Sequence, residues 1–176
     1  MLSHRIATEA DLPALRSVMA AAMGALLSDF LTPAEVMASH SVMGLDTQLV
    51  ADRTYFVIED GSRIAGCGGW SWRATLYGGD HSTGLRDAAR LDPAQDAARV
   101  RAMYTHPDLT RRGVGRMILA LCEDAARGAG FTRAELMATL PGEPLYRACG
   151  YAEIERVLSV PVNGVSVPLV RMGKAL

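Results

Sequence analysis

Apolar positions along the chain fall into alternating and helix-spaced blocks. "HRIA" near the start reads as a short strand. Leu12, Leu15, Val18, Met19, Ala22 and Leu26 then recur every three or four residues, the spacing of one helix face. Asp11 stands where an N-cap belongs, and Met23 and Leu27 are expected in the core. "TPAEVMASH" opens a second helix, with Thr32 as N-cap, Pro33 at the first turn and Glu35 closing a capping box. "TYFVIEDGSRIAGCGGWSW" reads as a hairpin turning at Asp60-Gly61. The pattern then dissolves through "RATLYGGDHSTGLRDAARLDPAQD", a polar loop long enough to suggest a functional role.

Periodicity returns with the strand "ARVRAMYT", ended by His106-Pro107. From Val114 to Arg127 an amphipathic helix places Met117, Ile118, Leu121, Cys122 and Ala125 on one face, and Gly128 and Gly130 close it. "RAELMAT" reads as a strand, "EPLYRAC" as a short helix and "YAEIERVLSVPV" as a strand. Asn163-Gly164 turns the chain into a last strand, "VSVPLVRM". The order β-α-α-β-β-β-α-β-α-β-β predicts an α/β or α+β domain, a mixed sheet with helices packed on it, spanning residues 1–176.

Composition narrows the function. A chain of 176 residues with 49% apolar and 21% charged residues is expected to form one well-filled core. The formal charge of −1 supplies no broad basic field, which argues against nucleic acid or an anionic membrane as partner. Any anion site must be local. Cys67, Cys122 and Cys149 show neither metal-like nor redox-like spacing and sit in apolar runs, as buried reduced thiols do. With no leader-like start and no stretch of about 20 apolar residues, the expected compartment is the cytoplasm.

One such local site stands out. "TRRGVGR" joins a strand to the long helix. Gly113 and Gly115 let backbone approach a ligand, the helix start leaves N–H groups unpaired, and Arg111, Arg112 and Arg116 add charge. That suits a pyrophosphate, although a helix start with solvated arginines has the same composition. Neither the Lys-Ser/Thr pair of a P-loop nor a dinucleotide fingerprint is present.

The stretch resembles the signature of the GNAT superfamily of N-acetyltransferases. There a strand, an Arg/Gln-x-x-Gly-x-Gly/Ala turn and a helix bind the pantetheine and pyrophosphate of acetyl-CoA. Gly113 and Gly115 match the small positions, and Thr110 stands where the family carries Arg or Gln. Downstream, "PLYRACGY" supplies Tyr146, Gly150 and Tyr151 in the family's arrangement, with Pro141-Gly142 where relatives often carry Asn-Ala. The resemblance implies a single GNAT-like domain with a mostly antiparallel sheet, and acetyl-CoA as co-substrate. It assigns Met103, Tyr104, Thr105, Arg111, Arg112, Gly113, Val114, Gly115 and Arg116 to the cofactor. It makes Tyr146 the proton donor to the CoA thiolate.

The implied acceptor is the primary amine of a small molecule. A peptide or protein amine, or acyl-CoA sensing without turnover, are the alternatives. Trp70, Trp72, Asp80 and His81 are the residues expected around the acceptor, though a tryptophan of that hairpin serves equally well as core. Glu35, Asp80, His81 and His106 are the available bases. The apolar last strand offers a surface for pairing in a homodimer.

Overall fold

The computed structural model describes all 176 residues. In chain order the strands are β1 (Leu2–Ile6), β2 (Tyr55–Asp60), β3 (Arg63–Ser71), β4 (Ala98–Thr105), β5 (Arg133–Thr139), β6 (Ala152–Leu158) and β7 (Pro168–Ala175). The helices are α1 (Leu12–Leu26), α2 (Pro33–Ser39), α3 (Thr47–Ala51), α4 (Val114–Gly128) and α5 (Glu143–Ala148). The strands form one sheet in the order β1-β2-β3-β4-β5-β7-β6. Every neighbouring pair is antiparallel except β4 and β5. No helix is long and apolar enough to cross a membrane.

Each face of the sheet carries its own core. Leu15, Met19 and Ala22 of α1 pack with Tyr55, Val57, Cys67 and Tyr104 on one side. On the other, Ile118, Leu119 and Cys122 of α4 meet Ile58, Val100, Leu136 and Met172. Val57 and Ile58 are successive residues on opposite faces and both are fully buried, which is why β2 reads as a continuous apolar run rather than an alternating one. The small residues of β3 set the approach of α4. A Cβ at Gly66 would stand 2.5 Å from Val114 Cγ1, and one at Gly68 2.6 Å from Ile118 Cγ2.

The structure amends the sequence reading in four places. A third short helix, α3, lies between the second helix and β2, capped by the Asp46 carboxylate on the Gln48 N–H. Asp60 pairs with Arg63, so the hairpin turn is Gly61-Ser62, with Gly61 at φ 64°. Asp11 does not cap α1 with its side chain; its carboxylate accepts from the Thr8 N–H and from Arg5. The last strand, β7, lies between β5 and β6 and is hydrogen-bonded on both edges, so it cannot pair across a dimer; the open edges are β6 and β1. The Thr32–Glu35 capping box is formed as expected.

Candidate active site

The site begins where two strands part. β4 and β5 pair only at Ala98–Ala134 and Arg99–Glu135, and beyond those residues they diverge. β4 also bulges: its register against β3 shifts between Cys67 and Gly69, and Ala102 adopts φ 50°. The buried Tyr55 hydroxyl donates to the Ala102 carbonyl at 2.6 Å and holds the bulge from behind. The C-terminal half of β4, Met103 to Thr105, is thereby turned into a cleft of about 730 Å³.

Met103, Tyr104, Thr105, Arg111, Gly113, Val114, Gly115, Arg116 and Tyr146 all line this cleft. At its floor the backbone N–H groups from Arg111 to Arg116 have no acceptor in the protein, and the first bond into the turn is Met117 N–H to Gly113 O at 3.0 Å. A row of free amides at the start of a fifteen-residue helix is the donor set an anionic diphosphate requires. The two glycines differ in purpose. Gly113 stands at φ 84° with open space about its Cα, so it is needed for backbone conformation. A Cβ at Gly115 would stand 2.5 Å from Leu145 Cδ2, so this glycine lets α5 close against α4.

The three arginines also separate. Arg112 is the one predicted cofactor residue outside the cleft lining; its guanidinium is paired with Asp60 at 2.6 Å. Arg111 and Arg116 face the cleft, and the only side-chain partner of Arg116 is Cys149 Sγ, 3.7 Å away. Cys149 is half-buried, unlike the fully buried Cys67 and Cys122.

Tyr146 projects from α5 across the gap to β4. Its hydroxyl touches one protein group, Met103 Sδ at 3.8 Å, a weak acceptor that leaves the phenol free for another partner. Burial pushes its pKa above the usual phenol range, so the phenol stays protonated at neutral pH. A second, smaller cavity of about 80 Å³ lies between β4 and β5, lined by Val100 to Tyr104 on one side and by Leu136, Met137 and Thr139 on the other. It joins the cleft at Met43, Met103, Tyr104, Thr139 and Tyr146, which line both.

Residues 22–151 match the family model described as "Acetyltransferase (GNAT) family". The chain belongs to that family. It is an acyltransferase by that membership, and solved structures share its fold. A GCN5-related N-acetyltransferase from Rhodopseudomonas palustris superposes with a TM-score of 0.71 at 17% identity, over 99% of this chain and 95% of its own. PaiA N-acetyltransferase from Thermoplasma acidophilum, solved in complex with coenzyme A, gives 0.65 at 11% identity over 100% and 99%. The acetyltransferase yncA from Salmonella typhimurium, solved with acetyl-CoA, gives 0.63 at 17% over 99% and 93%. No curated protein sequence matches the chain.

In this GNAT chain Trp70, Trp72, Asp80 and His81, the residues expected around the acceptor, line neither the cleft nor the small cavity. Trp70 is buried against Phe131 on the α4 side, with ring centroids 6.1 Å apart, and Trp72 packs edge-on to Trp70 beneath Arg90. The aromatic hairpin is core. Asp80 accepts from the Thr47 N–H at 2.9 Å, and His81 bonds the His40 carbonyl; both tie the long loop down and line neither the cleft nor the small cavity. Glu35 is spent on its capping box and His106 accepts from the Asp108 N–H, so neither faces the cleft as a base.

Part of the small cavity's wall comes from residues that periodicity did not single out. Leu76, Tyr77 and Gly78 of the long loop line it beside Arg101 of β4, which donates to the Gly78 carbonyl at 2.7 Å. Arg101 carried the one legible signal, a charge flanked by the apolar Val100 and Ala102 in mid-strand.

Proposed function

We propose that this GNAT chain transfers the acetyl group of acetyl-CoA to the primary amine of a small molecule, with Tyr146 protonating the departing CoA thiolate. What carries the reading is one arrangement: the free amides of Arg111 to Arg116, the exposed edge of Met103 to Thr105 and the Tyr146 hydroxyl share a single cleft. The amides and Arg111 and Arg116 would hold the pyrophosphate. The unpaired edge of β4 would hold the pantetheine arm and direct an N–H at the thioester oxygen, where charge develops during attack.

The amine approaches from the small cavity, which meets the cleft beside Tyr104 and Tyr146. A C–N bond forms as the C–S bond breaks. The phenol proton goes to sulfur, and the proton lost from nitrogen returns the phenol to its resting form. Neither cavity is lined by Asp, Glu or His, so deprotonation of the incoming ammonium passes through water. Free thiols at Cys67, Cys122 and Cys149 suit a reducing cytoplasm, the compartment we propose.

Replacing Tyr146 with Phe tests the assignment. Turnover, followed as thiol release from acetyl-CoA, is expected to fall about 10²–10⁴-fold. Acetyl-CoA affinity by calorimetry should be unchanged. A wild-type chain that failed to bind acetyl-CoA would overturn the reading. One that bound it but released no thiol with any amine or peptide would be a sensor.

A further inference from the structure

We infer that the amine acceptor carries a carboxylate, and that Arg101 receives it; the inference rests on the acetyl-transfer reading above. Arg101 is only 3% exposed, in the middle of a strand whose neighbours are apolar. Its guanidinium donates to Asp46 Oδ2 at 2.9 Å, to the Gly78 carbonyl at 2.7 Å and to the Thr75 carbonyl at 3.2 Å. These use three of the five N–H groups an arginine offers, and the others have no acceptor in the protein.

The charges around it do not balance. Asp46, 1% exposed, also accepts both terminal nitrogens of Arg86, at 2.8 and 2.9 Å. Two guanidiniums therefore share one buried carboxylate. Asp80, the other acid close to Arg86, is exposed and takes the Thr47 N–H and hydroxyl on one oxygen. Arg86 is partly exposed and so partly solvated; Arg101 is not, and it shares its only carboxylate with that second cation while its remaining N–H groups have no acceptor.

The small cavity is where the proposed acetyl transfer puts the acceptor. Arg101 forms part of the wall of the small cavity, and it is the only charged side chain there. The rest of the wall is mainly apolar, including Val42, Met43, Leu76 and Leu169. At about 80 Å³ the cavity exceeds several-fold what one water needs, and it suits a compact molecule. A polyamine or aminoglycoside would meet a cation and no carboxylate. A small apolar amino acid presents a carboxylate to Arg101 and an amine toward the thioester.

Matched acceptors test this with the wild-type enzyme. L-leucine is compared with isoamylamine and with leucine methyl ester, and L-methionine with 3-(methylthio)propylamine. A charge-assisted hydrogen bond lost with the carboxylate is expected to lower kcat/KM by about tenfold or more, mainly through KM. Amines or esters acetylated as well as the free acids would overturn the inference and leave acetyl transfer intact. So would acetyl-CoA binding with no acetylation of any carboxylate-bearing amine. Failure to bind acetyl-CoA in calorimetry would instead overturn the underlying reading. Arg101→Lys adds a second readout. It should raise KM by a larger factor for leucine than for isoamylamine, whereas a purely structural role would impair both equally.

Discussion

The Tyr55 hydroxyl and the Ala102 carbonyl meet at 2.6 Å behind the bulge that opens β4. Tyr55 is fully buried, so no water can take its place. Tyr55→Phe leaves that carbonyl without its partner and is expected to cost about 1–3 kcal/mol of stability. Because the bulge aims Met103 to Thr105 into the cleft, acetyl-CoA affinity should fall as well. Denaturant titration and calorimetry on the same variant measure both effects.

The signature glycines should fail in different ways. Gly113→Ala places a side chain at φ 84° with no steric neighbour, and strain of about 1–2 kcal/mol is expected with Leu145 undisturbed. Gly115→Ala meets Leu145 Cδ2 and pushes on α5, which carries Tyr146. Its activity should drop more than its stability. Adding Leu145→Ala should restore turnover to Gly115→Ala and do nothing for Gly113→Ala.

Arg111, Arg112 and Arg116 look alike in sequence and should not behave alike. Arg111→Ala and Arg116→Ala are each expected to weaken acetyl-CoA binding several-fold, and to flatten its salt dependence. Arg112→Ala breaks a surface pair with Asp60 and should change the affinity less than twofold. Calorimetric titrations at two salt concentrations distinguish the three.

Thiol chemistry follows burial. At pH 8 an aromatic disulfide reagent should react quickly with one thiol, Cys149, and with three once the chain is unfolded. Burial pushes Cys67 up to about 12 and Cys122 also well above the thiol range. Both folded-state values exceed the unfolded one near 8.5, so the neutral thiols stabilise the fold fully below that pH. Stability should then decline from about pH 8.5 toward pH 12, as the unfolded chain releases these protons first. Denaturation midpoints at pH 7 and pH 10 check the sign.

Much of this was legible in the sequence because strong periodicity marks long elements. α1, α4 and the strands came through, as did the free helix start at Gly113 to Arg116. Short elements did not: α3 has five residues and depends on Asp46, whose role is decided by contact with residues far along the chain. Side-chain destination was the other blind spot. Trp70 and Trp72 share a face, as alternation requires, but only the fold decides that this face meets Phe131. Strand order was equally hidden, since β7 is as apolar as an edge-avoiding interior strand should be and nothing local says which neighbours it takes.

The cleft and the small cavity meet at Met103, Tyr104 and Thr139, but only the small cavity draws on residues 42, 44 and 76–78. Such a division lets a lineage trade one acceptor for another by rewriting those two segments while its grip on the donor persists. The trade has a condition attached: Asp46, Arg86 and Arg101 come from three separate stretches of chain yet answer to one charge balance. They are expected to change together, so that a relative lacking any one of them will have abandoned the other two and, with them, the same class of acceptor.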